Sequence, residues 1–443
     1  MKPIKVRLAL LNFLEFAVWG AYLTSLGSYL FRVGMAEQIG WFYAVQGIVS
    51  MFMPAVIGIA ADRWIPAQRM LSLCHLLAGI FMISAGLYAS TCPGNPEFGI
   101  LFSLYSVSVA FFMPTIGLAN SVAYTALDKN GLDTVKHFPP IRVFGTVGFI
   151  CSMLFVNFTG FQNTYAQLIA SGIISLVMAG YALTMPNCPV NKKGKGNSIT
   201  EAFGLKAFSL FKNRQMAAFF IFSMLLGVSL QITNGFANPF IQSFGSVSEY
   251  ASDWGVRNAN AMISLSQISE TLCILLIPFF LKRFGIKTVM LMSMVAWVLR
   301  FGFFGIGDTG SGVWLLILSM IVYGIAFDFF NVSGSLYVDK KTDISMRSSA
   351  QGLFMLMTNG VGATVGTLAA QAVINRYVNS QPAGQLQIDG WHTSWLIFAA
   401  YALAVAVFFV LIFHDKDTKA SGSDKNKAKE ILSEDPEGMI DAI

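Results

Sequence analysis

Twelve runs of mostly apolar residues, each close to 20 residues or longer, follow one another along this chain with short polar stretches between them. Coiled as α-helix, a run of about 20 residues spans the hydrocarbon core of a bilayer. Helix is one of only two ways a chain can cross lipid with its backbone groups satisfied. The runs fall at 7–31, 40–61, 70–90, 98–124, 139–160 and 163–186, and then at 215–243, 256–281, 288–306, 312–338, 348–375 and 391–414. A polar segment with six Lys or Arg, from Asn187 to Arg214, separates the two sets of six. The expected fold is an all-α polytopic membrane protein, with 12 transmembrane helices in two six-helix halves. Its parts are an N-terminal six-helix bundle at 1–186, a linker at 187–214, a C-terminal six-helix bundle at 215–414 and a tail at 415–443. The tail, charged and built of small residues, is expected to be disordered.

Charge tests this layout. Of the 29 Lys and Arg, 24 lie in segments that share one side if the runs alternate direction, while Arg32, Arg257 and Arg376 lie on the other and Arg142 and Arg300 fall within spans. By the positive-inside rule the basic side is cytoplasmic, which puts both termini there. The net charge of +6 therefore reports topology rather than a nucleic-acid surface, since the cations sit in separate short loops. With 55% hydrophobic and 12% charged residues and a mean hydropathy of +0.62, the chain lies well outside soluble composition. Cys74, Cys92, Cys151, Cys188 and Cys273 are scattered without CxxC spacing, so neither a disulfide framework nor a metal site is expected. The basic start MKPIKVR runs into a long apolar stretch with no small-residue cleavage site and reads as a retained first helix.

Polar residues inside the spans carry the functional signal, because a mid-membrane charge costs roughly 2.5–3.5 kcal/mol on insertion scales and is normally turned toward protein or a watery cavity. Span ten holds Tyr323, Phe327, Asp328 and Asn331. A carboxylate can accept two hydroxyl donors, as a sugar diol presents, and the rings can stack on a flat ligand. Span eight pairs Gln267 with Glu270, and span seven pairs Gln231 with Asn234, each three apart on one helix face. Two carboxamides suit a heterocyclic base edge, and equally suit bonding between helices. In span five, FPPIRVFGTVGF aligns Arg142, Thr146 and Phe149 on one face, with a snorkelling interfacial arginine as the other reading of Arg142. Glu270 and Asp328 also read as ion-pair partners of Arg142 that fix packing, although two acids against one cation leave a carboxylate to be protonated or otherwise paired.

Glu15 in span one, near Trp19, reads equally as part of a proton path or as a hydrogen-bonding partner of a neighbouring helix. Arg300 is expected to be an interfacial anchor, His75 a satisfied packing histidine, and the Gly360, Gly362 and Gly366 series of span eleven a close helix contact.

The six-plus-six layout resembles the major facilitator superfamily, whose halves rock about a midplane site. In GIAADRWIPAQR, between spans two and three, Gly58, Asp62, Arg63 and Arg69 resemble that superfamily's loop motif, which implies a glycine contact and a charged conformational latch. The counterpart LKRFGIK keeps the basic residues and lacks the acid. Taken together, FPPIRVFGTVGF, FFIFSMLLGVSLQITN, SLSQISETL and MIVYGIAFDFFNVSGS closely resemble the nucleoside:proton symporter family, and the likeness runs from LEFAVWGAYLTSLGSYLF to WLIFAAYALAV.

The resemblance implies a nucleoside importer of a bacterial inner membrane working by alternating access, with protons as coupling ion and no cofactor. It also implies a monomer that meets only nucleoside, protons and the lipid bilayer, with no nucleic acid. Carried over by motif, Arg142, Thr146, Phe149, Gln231, Asn234, Gln267, Glu270, Tyr323, Phe327 and Asp328 are substrate-binding, and Asp328 resembles the acid tied to proton coupling; Glu270 and Glu15 are further acids that could take part in it. One departure is Glu15, where some members carry Gln. A sugar or polar-metabolite carrier of the same superfamily has similar site chemistry and is the competing reading. An enzyme or receptor is disfavoured, as the sequence has no HExxH, GxSxG or phosphate loop and no large soluble domain.

Overall fold

The computed structural model describes residues 2–188, 205–343 and 346–413. Most of the expected linker and the expected tail lie outside these described residues. Among them, every regular element is a helix.

Nine described helices are long and apolar enough to cross a membrane. One of them, Ala259–Ile306, has 48 residues, about 72 Å of helix if straight and so twice the bilayer core. It folds back at Gly285, whose φ of 75° and ψ of 167° leave the helical region. Spans eight and nine are thus a hairpin turning on one residue, at a positive φ that a side chain would strain. The shorter apolar helix Ala166–Ala182 supplies span six. Span one, expected to be continuous, is instead Lys2–Gly20 followed by Leu26–Arg32. Between them the bonds tighten to three residues, from Tyr22 N to Trp19 O and from Ser25 N to Tyr22 O. That turn aims Ser25 at Gln167 in the same half and Thr24 at Asn260 in the other. Span four likewise divides into Phe98–Phe112 and Thr115–Lys129 at Pro114, which has no N–H to donate. With these, all twelve expected crossings have a helical counterpart.

The first half is assembled from span one (Lys2–Gly20) on span five (Thr134–Phe158) and span three (Ala67–Thr91) on span six. Phe13 and Gly148 show how close the first pair is, since a Cβ on Gly148 would fall 2.1 Å from the Phe13 carbonyl oxygen. In the second half, span ten (Val313–Lys341) packs on the hairpin of spans eight and nine, and span seven (Arg214–Ser243) on span eleven. The span-eleven glycines make the expected close contact: a Cβ on Gly362 would meet Met224 O at 2.3 Å. Contact between the halves runs through span two (Ile39–Arg63) on span eleven, span five on span eight, and Leu26–Arg32 on span seven. Leu272, Leu275, Leu403 and Leu411 remain exposed on the outer faces of their spans, as a lipid-facing surface requires.

Candidate functional site in the cleft between the halves

Where the halves meet they leave a cavity of about 730 Å³, within the size range of small-molecule sites. Span one contributes Phe16 and Trp19, span two Gln46, span five Arg142, span seven Gln231 and Asn234, span ten Phe327, and span eleven Asn359. Toward the basic face its wall continues through Phe208, Ser349 and Gly352. At the opposite end the halves are sewn together by neutral groups. Thr24 donates to Asn260 Oδ1, Ser28 donates to Asn238 Oδ1 at 2.6 Å, and Asn157 Nδ2 donates to Asn258 Oδ1 at 2.8 Å. Gln162 Nε2 reaches the Arg257 carbonyl at 2.9 Å, and Gln371 bridges to the backbone of Gly40 and Ala36. The molecule is therefore open toward its basic face and shut at the other.

Four of the ten residues marked by motif line this cavity. Arg142 is one, its guanidinium carbon 3.9 Å from the centroid of the Phe16 ring, which places it inside the protein rather than at an interface. Gln231 and Asn234 are two more, and they bond to each other, Asn234 Nδ2 donating to Gln231 Oε1 at 2.9 Å. The fourth, Phe327, stacks parallel to Tyr323 with centroids 5.8 Å apart.

The others stand behind this wall. Tyr323 is buried with Gln267, Glu270, Asp328 and Arg300 as its electrostatic neighbours. Asp328 is 5% exposed, and its Oδ2 has no hydrogen-bond partner among the described residues. Glu270 is the leading charged neighbour of both Asp328 and Arg142, yet no acid comes within ion-pair distance of Arg142 among the described residues. Phe149 is buried edge-on to Trp19, and Thr146 is half-buried on the same helix; neither lines the cavity. Asn331 donates back to the Phe327 carbonyl and so serves its own helix.

Two expectations change. Arg300 is not an interfacial anchor. It is 2% exposed, donates to the Ser319 carbonyl at 2.7 Å, and lies 4.4 Å from the Tyr323 ring centroid, where backbone and aromatic faces replace water. Gly58 does not make a close contact, as a Cβ there would meet nothing within 4 Å. The open cleft on the basic side accounts for this, since the expected latch would have nothing to close on while the halves are parted there. The Asp62 and Arg63 side chains lie outside the described residues. His75 is satisfied as expected, but one of its partners is Glu15, at 2.8 Å.

Gln46 and Asn359 complete the polar wall. Gln46 accepts from Trp19 Nε1 at 3.3 Å and donates to the Tyr105 hydroxyl at 2.9 Å; a lone amide in an apolar run was its signal. Asn359 belongs to a π-helical turn, Leu356–Gly362, and turns of that kind cluster at functional sites.

Comparison with known proteins agrees with this architecture. The family model described as Nucleoside H+ symporter matches residues 1–418. Nucleoside permease NupG of Escherichia coli (strain K12) is 45% identical over 94% of this chain and 97% of its own length. The xanthosine permease of the same organism is 46% identical over the same shares. A crystal structure of nucleoside transporter NupG superposes with a TM-score of 0.84 at 45% identity, covering 93% of this chain and all of that one. The fold is that of the major facilitator superfamily, and the chain belongs to the nucleoside H+ symporter family.

Proposed function

We propose that this protein carries nucleosides inward across a bacterial inner membrane together with protons, its two halves rocking about the 187–214 linker. As a member of a transporter family it works as a permease, not an enzyme. The basic face is cytoplasmic, so the conformation described here is inward-open and the neutral seam is the outer gate. The protein functions as a monomer in the lipid bilayer.

The observation that carries this reading is Asp328, a buried acid behind the cavity wall with one oxygen lacking any partner among the described residues. Such an oxygen is satisfied by a proton or by a ligand hydroxyl. The Gln231–Asn234 pair offers donors and acceptors to a base edge, while Phe327, backed by Tyr323, offers a stacking face. Gln267 supports Tyr323, and Thr146 and Phe149 shape the span that holds Arg142. In the outward-open state the cavity takes a nucleoside and a proton. Neutral Asp328 or Glu270 lets the charged centre close, and inward opening releases both. Asp62 and Arg63, with Gly58, latch the cytoplasmic side when it shuts. One charge falling through 100 mV is worth about 2.3 kcal/mol, enough for roughly 50-fold accumulation.

The test is uptake of labelled uridine and adenosine into membrane vesicles with and without a protonophore. Uptake should collapse with the protonophore, and unlabelled nucleosides should compete while ribose and glucose should not. Competition by free sugars would instead support the sugar-carrier reading.

A further inference from the structure

Glu15 and His75 form a cluster that nucleoside binding leaves unused. Glu15 Oε2 lies 2.8 Å from His75 Nε2, Glu15 Oε1 accepts from the Thr115 hydroxyl at 2.6 Å, and His75 Nδ1 lies 3.0 Å from Ser175 Oγ. None of these four side chains is more than 1% exposed. The charged and titratable groups facing the cluster are Cys74 from span three and Arg142 from span five, with Tyr124 of span four beyond Arg142. Span six supplies only Ser175.

Counting hydrogens gives the cluster two states. The Ser175 hydroxyl has two acceptors within reach, His75 Nδ1 at 3.0 Å and the His75 carbonyl oxygen at 2.9 Å. When it donates to Nδ1, the ring is neutral, Nε2–H donates to the Glu15 carboxylate, and the pair carries one negative charge. When it turns to the carbonyl, Nδ1 must carry a hydrogen to donate to Ser175 Oγ. The pair then holds one more proton and is neutral overall, whichever of Nε2 and Oε2 keeps the shared hydrogen. Rotation of one hydroxyl accommodates both states without moving a heavy atom.

We propose that the Glu15–His75 pair is a second proton-binding site, housed in the N-terminal half, which takes one proton from cavity solvent and returns it, and so sets how much of the Arg142 charge is available to Glu270. Arg142 has Glu270 as its first charged neighbour and Glu15 as its second, and it is seated on Phe16, next to Glu15 in sequence. An unprotonated pair holds the arginine within its own half; a protonated pair frees it for Glu270 across the cleft.

This rests on the proton-coupled reading above, and the experiment separates the two. Nucleoside uptake is measured against pH, with protonophore controls, in vesicles carrying equal amounts of monodisperse wild type, Glu15→Gln, Glu15→Asp and His75→Gln. Glu15→Gln mimics the neutral pair, so Glu270 keeps its charge to lower pH, and the profile should move to acid by about one unit, a tenfold change in proton concentration. Its slope should fall from two titrating groups to one, with Glu15→Asp restoring the wild-type form. His75→Gln should flatten the slope independently, which keeps the inference open to test if one variant does not fold. A wild type indifferent to the protonophore would sink the coupling reading itself. A proton-driven wild type whose profile Glu15→Gln and His75→Gln reproduce would overturn this inference alone and leave the pair a packing contact.

Discussion

Asn260 is the knot of the closed seam, and removing its side chain should favour the conformation in which that seam opens. Its Oδ1 accepts from Thr24 and its Nδ2 donates to the Met153 carbonyl at 3.2 Å, so one side chain makes two bonds to the opposite half. Hydrogen bonds between membrane helices average about 0.6 kcal/mol and reach about 1.7 kcal/mol. Thr24, 3% exposed, would also keep a buried unpaired hydroxyl in the closed state and regain water when the gate opens. Together these put Asn260→Ala at about 2 kcal/mol against the closed gate, roughly a 30-fold shift in the ratio of gate-closed to gate-open molecules. Thr24→Val removes only one of the two bonds and should shift the ratio about fivefold. Spin labels at Thr159 and Glu249, exposed residues at the gated ends of the two halves, would read the separation by double electron–electron resonance in a background with the native cysteines replaced. The long-distance population should grow in the order wild type, Thr24→Val, Asn260→Ala. Identical distance distributions in all three would refute the idea that these bonds hold the gate.

Other substitutions probe the centre and the packing. Asp328→Asn should abolish protonophore-sensitive accumulation while nucleoside exchange down a gradient persists, measured in the same vesicles; full proton-driven uptake would remove Asp328 from coupling. Phe327→Ala should raise the half-saturating nucleoside concentration about tenfold, at the lower end of what base stacking contributes. Gly148→Leu forces a side chain onto the Phe13 carbonyl, and the expected result is loss of the monodisperse peak in detergent size-exclusion chromatography.

Hydropathy made the number of the spans legible, because lipid forces each crossing to declare itself as an apolar run. It could not place the breaks at Gly20–Leu26 and Pro114, which answer to partners on other helices, nor foresee that spans eight and nine turn on Gly285 alone. Depth and direction of a lone cation were likewise hidden. Arg300 near a span end looks like an anchor until Tyr323, on another helix, is seen to form its bed. Asn359 escaped because a regular 3.6-residue period assigns it to packing, whereas a π-turn shifts the register. His75 and Glu15, 60 residues apart, meet only in three dimensions.

The seam that closes the end opposite the basic face is made of amides, hydroxyls and backbone groups, and the Arg32 guanidinium that joins it bonds to the neutral Gln242 at 3.1 Å. Attraction between exposed opposite charges fades as dissolved ions crowd around them, over about 10 Å at 0.1 M salt, whereas a bond between neutral dipoles is nearly blind to those ions. In the orientation proposed above, the face that meets an uncontrolled medium is thus fastened by the kind of contact least sensitive to salinity. Most of the Lys and Arg lie in loops of the opposite face, which the orientation proposed above puts in the cytoplasm, where the cell fixes the ionic strength itself. A carrier fastened this way should keep nearly the same resting bias between its two conformations in fresh water and in brine.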